Sequence, residues 1–299
     1  MSRKPKRRFG GIFLLLLLIA AAAGYWAWQR YTSFAHRPLP GIEAGTSVVV
    51  ESGDSLPVVL RKLRDAGIET GELIQWRILA RQLQAAGRLQ IGEYPLDPQT
   101  TPRDLLVSMR DGKVIQRRFT IVEGWNIREL RAALARAKPL KQETAQLDDA
   151  ALMAALGHPG QHPEGRFLPE TYLYTAGDSD LEVLRRAYDA MDKALASAWA
   201  QRQKDTVLKT PEEMLTLASI VEKETGVASE RPQIAGLFER RLKIGMLLQT
   251  DPTVIYGMGS NYNGNIRKRD LLTDTPYNTY TRAGLPPTPI AMPGEAALK

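Results

Sequence analysis

The stretch TPEEMLTLASIVEKETG, residues 210–226, carries two carboxylates in the last turn of an otherwise apolar helix. Thr210 is the expected cap, Pro211 the first helical residue and Glu213 the partner of a capping box, with Gly226 as the stop. At about 100° per residue, Met214, Leu217, Ala218 and Val221 form one buried stripe. Glu224 projects within about 20° of Leu217 and about 40° of Ile220, whereas Glu222 lies about 200° from it, between Ala218 and Leu215. The two acids therefore cannot pair, and at most one lines a given pocket. Burial against aliphatic neighbours and the negative end of the helix dipole both disfavour the Glu224 anion. A carboxyl that keeps its proton is a general acid, able to protonate a leaving oxygen. The plainer alternative is a solvated glutamate paired with Lys223 or Arg231.

Metal chemistry has weaker support. His158 and His162 are separated by Pro159 and Gly160, which break any helix that would set both on one face. Two histidines without a third ligand make a poor zinc site, so neither a metal nor another cofactor is expected.

The chain that positions these residues has 299 amino acids, no cysteine and a formal net charge of +7. Its length suits one or two globular domains, held without disulfides. Arg3, Lys4, Lys6, Arg7, Arg8 and Arg30, with no acid among residues 1–36, account for +6 of that charge. The excess is a terminal cluster and not a patch on a folded domain, which argues against a nucleic-acid partner. Phe9–Trp28 is an uncharged run close to the roughly 20 residues that cross a bilayer. Residues 1–8 then form a cytoplasmic basic tail and 9–28 a transmembrane helix, with Tyr25, Trp26 and Trp28 at the far interface. A signal peptide cleaved near Ala21-Ala22-Ala23 is the alternative, and the length of the run disfavours it.

Residues 29–45, with Pro38, Pro40 and Gly41, read as a tether. Three segments then share the order extended strand, polar turn, amphipathic helix, beginning at Val48, Tyr94 and Phe119. Asp54 or Ser55, Thr101 and Asn126 are the expected caps, and another helix spans Glu72 to Ala86. A Lys/Gln/Thr/Asp-rich stretch, Lys138–Asp149, marks a boundary between an α+β module at 46–140 and a mixed α+β domain at 141–299. In the latter, helices are expected at 150–156, 180–203 and 230–244, with the aromatic tail 247–299 forming loops and short strands. The fold class is α+β.

The run LASIVEKETGVASERPQIAGLFERRLKIGMLLQTDPTVIYGMG resembles the signature of the YceG-like family of membrane-anchored endolytic murein transglycosylases. So do GEYPLDPQTTPRDLL, VEGW at 122–125, EGRFLPETY at 164–172 and TPYNTYTRAGLPPTPIAMPG, in the same order. The resemblance implies that Glu224, the second acid of EKET, is catalytic and that the N-terminal module is LysM-like. It implies as partners peptidoglycan glycan strands, cut at the MurNAc–GlcNAc β-1,4 bond without water, and peptidoglycan synthases. It also implies a single-pass protein of the inner membrane, N-terminus cytoplasmic and catalytic domain periplasmic. Such chemistry can run on one carboxylate where ordinary glycosidases use two, with Glu222 or Asp251 assisting electrostatically. Expected substrate contacts are Tyr277 and Asn278, then Gln249 and Asp251, with Tyr256 beside them; Glu170 is expected to be structural. A non-catalytic glycan-binding scaffold is the rival function, and a hydrolase the third. Family members usually continue with a stretch rich in His, Phe and Asn, whereas this chain stops at Ala297-Leu298-Lys299.

Overall fold

The apolar N-terminal run is helical well past its expected end. The computed structural model describes residues 9–299, with side chains from Phe13 on; the basic tail 1–8 lies outside the described residues. Helix α1 spans Phe9–His36, and within it Phe13–His36 is long and apolar enough to cross a membrane. The expected tether therefore begins eight residues late. Residues 29–36 stay helical because Tyr31, Phe34 and Ala35 offer an apolar face that packs on the following domain, Phe34 meeting Trp76 edge-on at 5.5 Å. Residues 37–45 are also tied down, by Leu39 N–H to the Thr100 carbonyl (2.9 Å) and Glu69 N–H to the Pro40 carbonyl (3.1 Å). Gly41, at φ 89°, is required there, since a Cβ would collide with the Gly67 carbonyl.

The chain divides into two compact units, the first comprising residues 1–115 and 175–177. After α1 it contains β1 (Thr46–Val50), α2 (Leu56–Asp65), α3 (Leu73–Gln82), β2 (Gly92–Leu96) and α4 (Pro102–Asp111). β1 and β2 pair antiparallel with Val48 opposite Tyr94. Val50, Leu60, Leu63, Trp76, Leu79, Tyr94, Leu105 and Leu106 fill the core beneath them. Of the expected caps, Thr101 closes a full capping box with Asp104. Asp54 instead accepts from Glu51 N–H and Lys62, closing the turn before α2.

The second unit comprises residues 116–174 and 178–299. It runs β3 (Arg117–Thr120), α5 (Ile127–Leu134), α6 (Asp149–Leu156), β4 (Thr171–Tyr174), α7 (Asp180–Gln201), α8 (Pro211–Glu224), α9 (Arg231–Lys243), α10 (Asp251–Met258), α11 (Lys268–Leu272) and α12 (Glu295–Leu298). The boundary thus falls at Ile115–Gln116 and not at 140–141. The third strand–turn–helix segment belongs here because β3 pairs antiparallel with β4, Phe119 opposite Tyr172. The polar stretch 138–149 is interior to this unit. The buried carboxylate of Asp180 clamps it through Glu143 N–H (2.9 Å) and the Thr144 hydroxyl (2.6 Å). The tail beyond residue 247 folds into loops and short helices, with no strand among the described residues.

Candidate active site

Helix α8 begins as its sequence dictates. The Thr210 hydroxyl accepts from Glu213 N–H at 3.2 Å, while Glu213 reaches back to Lys209 N–H, one residue short of a reciprocal box. Its middle departs from the single-stripe expectation, because all seven residues from Leu215 to Val221 are buried. A helix covered on every side is a central strut, and a low-polarity all-round surface is what such a position needs. Ser219, with no exposed surface, is satisfied by donating to the Thr216 carbonyl (2.7 Å) and accepting Ile290 N–H (3.0 Å). The helix stops at Glu224, since Thr225 is extended at φ −147° and its hydroxyl donates to Glu230 at 2.6 Å. Gly226 is not left-handed.

The two acids at this end point to different surroundings. The Glu222 side chain is 6% exposed; it accepts from Gly294 N–H at 3.0 Å and lies 3.8 Å from the Arg231 guanidinium. Burial, and secondarily the nearby Glu123 carboxylate, push its pKa up. The Glu123 side chain lies directly over Gly294, where an added Cβ would displace its carboxylate. The VEGW loop is fixed beside it by Lys223 Nζ to the Gly124 carbonyl (3.1 Å), and by Gly124 and Trp125 pairing with Met292 through backbone bonds of 2.9 and 2.7 Å.

Glu224 is exposed, so the aliphatic burial expected of it is not observed. Leu217 and Ile220 are consumed by packing inside the unit, and the last helical turn carries the carboxylate clear of them. The Thr250 hydroxyl donates to Glu224 Oε1. Thr250 belongs to a buried knot of hydroxyls: its N–H donates to Thr279 Oγ1 (3.1 Å), and Thr253 and Thr279 share a bond of 2.8 Å. Beside the knot, Gln249 sits at φ 53°, a left-handed conformation uncommon outside glycine, with its N–H on the Thr279 carbonyl (3.1 Å) and its side chain exposed. Asp251 is exposed and accepts from Tyr280 OH at 2.6 Å. Burial first, then that carboxylate and the charge of Glu224, push the Tyr280 phenol up to about 12.

On the other flank of α10, Tyr256 OH donates to Glu164 Oε2 at 2.9 Å. Its ring meets Tyr277 edge-on at 4.8 Å and lies 5.9 Å below the Arg128 guanidinium. Glu164 has no exposed surface and also accepts from Ile127 N–H, the first amide of α5, at 3.1 Å. Burial pushes its pKa up to about 7, against the lowering effect of these donors and of Arg128. Glu164 opens the motif EGRFLPETY, where neither spacing nor residue type assigns it a role. Its one local sign is the following Gly165, at φ 78° and packed so tightly that a Cβ would lie 2.6 Å from Pro289.

With this constellation in place, comparison with known proteins is decisive. The model of the YceG-like family matches residues 48–299. The chain belongs to that family. A Bacillus subtilis (strain 168) relative named endolytic murein transglycosylase is 29% identical over 274 residues, covering 84% of this chain and 75% of its own length. A Streptococcus pneumoniae (D39) protein of the same name is 32% identical over 140 residues, 46% of this chain and 25% of its own. The 2.6 Å crystal structure of a putative yceG-like protein from Listeria monocytogenes aligns with a TM-score of 0.53 at 27% identity, covering 85% of this chain and 88% of that one.

Within this YceG-like frame, Glu224, Gln249 and Asp251 come together around Thr250 and Thr279, while Tyr256 and Tyr277 pack on the other flank of α10 beside Glu164. Asn278 does not face a ligand. It is wholly buried, donating to the carbonyls of Leu271 (3.1 Å) and Thr273 (2.7 Å) and accepting Tyr280 N–H (2.8 Å). With its hydrogen bonds committed, it shapes the loop that carries Tyr277 and Tyr280. Glu222 is likewise committed to a backbone amide. His158 stacks on Tyr188 at 3.9 Å, and His162 Nδ1 accepts from Glu164 N–H at 3.1 Å, so each histidine has a structural task.

Proposed function

We propose that this chain cleaves peptidoglycan glycan strands as an endolytic lytic transglycosylase, with Glu224 as both acid and base. The observation that carries this assignment is selective exposure. Among the carboxyls gathered around α8 and α10, Glu222 and Glu164 are buried on backbone amides and the exposed Asp251 is held by the Tyr280 hydroxyl, whereas Glu224 ends the central helix with an open face. Glu224 protonates the oxygen between MurNAc and GlcNAc as that C–O bond breaks and an oxocarbenium-like centre develops. The resulting carboxylate then takes the proton of the MurNAc C6 hydroxyl, whose oxygen closes on C1 to give the 1,6-anhydro ring. The nucleophile is part of the substrate, so its effective concentration is high and no water need be positioned. Thr250 steadies the acid, and Tyr280, Asp251 and Gln249 line the approach.

The length and apolar character of α1 support a membrane anchor, which we set across the inner membrane with the N-terminus cytoplasmic and the remainder periplasmic. The small β1–α2–α3–β2 unit supports a LysM-like glycan-contacting module, and this placement suits strand termination beside peptidoglycan synthases. Muropeptide analysis tests the assignment. The full chain should release anhydro-ended products from purified glycan strands, and Glu224→Gln should release none while still binding them. Reducing ends would make it a hydrolase, and binding without any cleavage by the wild-type chain would leave a scaffold.

A further inference from the structure

We propose that the outer face of α3 is a bilayer-contact surface, on which Ile74 and Ile78 enter the headgroup region of an anionic leaflet and Arg77 and Arg81 meet its phosphates. The inference rests on reading α1 as a membrane anchor and takes its geometry from how α1 joins the first unit. Every described side chain of α1 from Phe13 to Arg30 is exposed, so nothing in that unit packs beside the apolar run. Contact starts abruptly at the next turn. Arg30 pairs with Glu72 at 2.7 Å, Tyr31 OH donates to Gln82, and Phe34 packs on Trp76. Adjacent residues of α1 thus reach the two ends of α3, about 15 Å apart at 1.5 Å per residue. Helix α3 crosses α1 steeply instead of running along it.

With α1 across the bilayer, α3 therefore lies along the membrane plane. Tyr25, Trp26 and Trp28, all exposed, form the aromatic belt that settles at headgroup level. Tyr31 is three residues past Trp28, a rise of only about 4.5 Å, less than the roughly 5–6 Å radius of a helix with its side chains. The depth of α3 is then the depth of the headgroups. Its buried stripe, Trp76, Leu79 and Ala80, faces the body of the unit, which lies beyond Arg30. The opposite face turns back toward the bilayer and carries Ile74, Arg77, Ile78 and Arg81, spaced i, i+3, i+4, i+7. The two isoleucines are 56% and 49% exposed, and no acid interrupts the helix between Leu73 and Gln82. Aliphatic side chains interleaved with arginines suit an interface that offers hydrocarbon and anionic phosphate within a few ångströms.

The absence of cysteine provides a direct test in the full chain. Ile78→Cys labelled with a solvent-sensitive fluorophore reports the face, and Leu18→Cys reports the anchor independently. In nanodiscs of phosphatidylcholine mixed with phosphatidylglycerol, a headgroup-level quencher lipid should reduce emission at position 78 severalfold. Replacing the mixture with phosphatidylcholine alone, or adding Arg77→Glu with Arg81→Glu, should restore most of it. An acyl-chain quencher should act at position 18 throughout. Quenching at 18 with none at 78, and none with Ile74→Cys, overturns the contact surface and leaves the anchor standing. No quenching at 18 overturns the anchor, and the surface with it.

Discussion

Glu222 and Glu224 are two residues apart on one helix and occupy unlike surroundings. The flank that holds Glu222 is crowded, its side chain tucked against Gly294, Glu123 and Arg231 beside the VEGW loop. The flank that holds Glu224 is open on one side and backed on the other by threonines and tyrosines. Burial marks the acid that braces the fold; accessibility with a fixed orientation marks the acid suited to chemistry. Glu164 repeats the first pattern on the far side of α10. The raised pKa values of Glu222 and Glu164 thus report burial inside the fold.

The largest effect should separate the two flanks outright. Glu224→Gln should lower the rate of anhydro-product formation on the order of 10³-fold, within the ~10²–10⁴ typical of a lost acid–base group. Its melting temperature should be unchanged. Glu222→Gln should do the reverse, shifting thermal unfolding while retaining most of the activity. Muropeptide rates and calorimetry on the same preparations decide between these outcomes.

Glu164 offers the next test. Its folded pKa, about 7, is above the ordinary value of 4.5, so the folded chain holds a proton that the unfolded chain releases between those limits. The contribution to stability is fully present below about pH 4.5 and is lost as pH rises to about 7, amounting to roughly 3 kcal/mol. Urea midpoints across that range should fall for the wild-type chain, and Glu164→Gln should flatten the fall. A smaller change is expected from Thr250→Val, which removes the donor to Glu224. It should lower kcat about tenfold, the equivalent of ~1.4 kcal/mol in the barrier, with KM little altered. The smallest should come from Gln249→Gly, which relieves a left-handed conformation and should raise stability by no more than about 1 kcal/mol. A higher KM in that variant would identify the exposed Gln249 amide as a substrate contact.

The comparison also explains what could be read from the sequence. Local signals were sufficient for α8, whose Thr-Pro start is written in adjacent residues, and for all three strand–turn–helix segments. They failed wherever distant partners decide. The boundary after residue 140 was misplaced because β3 pairs with a strand some fifty residues away. The tether at 29–45 was misjudged because Phe34 finds Trp76. Glu224 was expected to be sheltered by Leu217 and Ile220, but helical periodicity gives direction without saying whether neighbours extend to the last turn. Residue type alone makes Asn278 look like a ligand contact, whereas its amide holds a loop. Glu164 gained its importance only when the fold set it against Ile127 and Tyr256.

The threonine knot behind Glu224 has one further consequence. None of its three hydroxyls ionises at physiological pH, so the mounting of the acid does not loosen as the medium acidifies or as charge develops nearby. A hydroxyl can also reverse its role by rotating about one bond, giving a hydrogen to a carboxylate or receiving one from a carboxylic acid. The Thr250 contact can therefore persist whether or not the Glu224 carboxyl carries a proton.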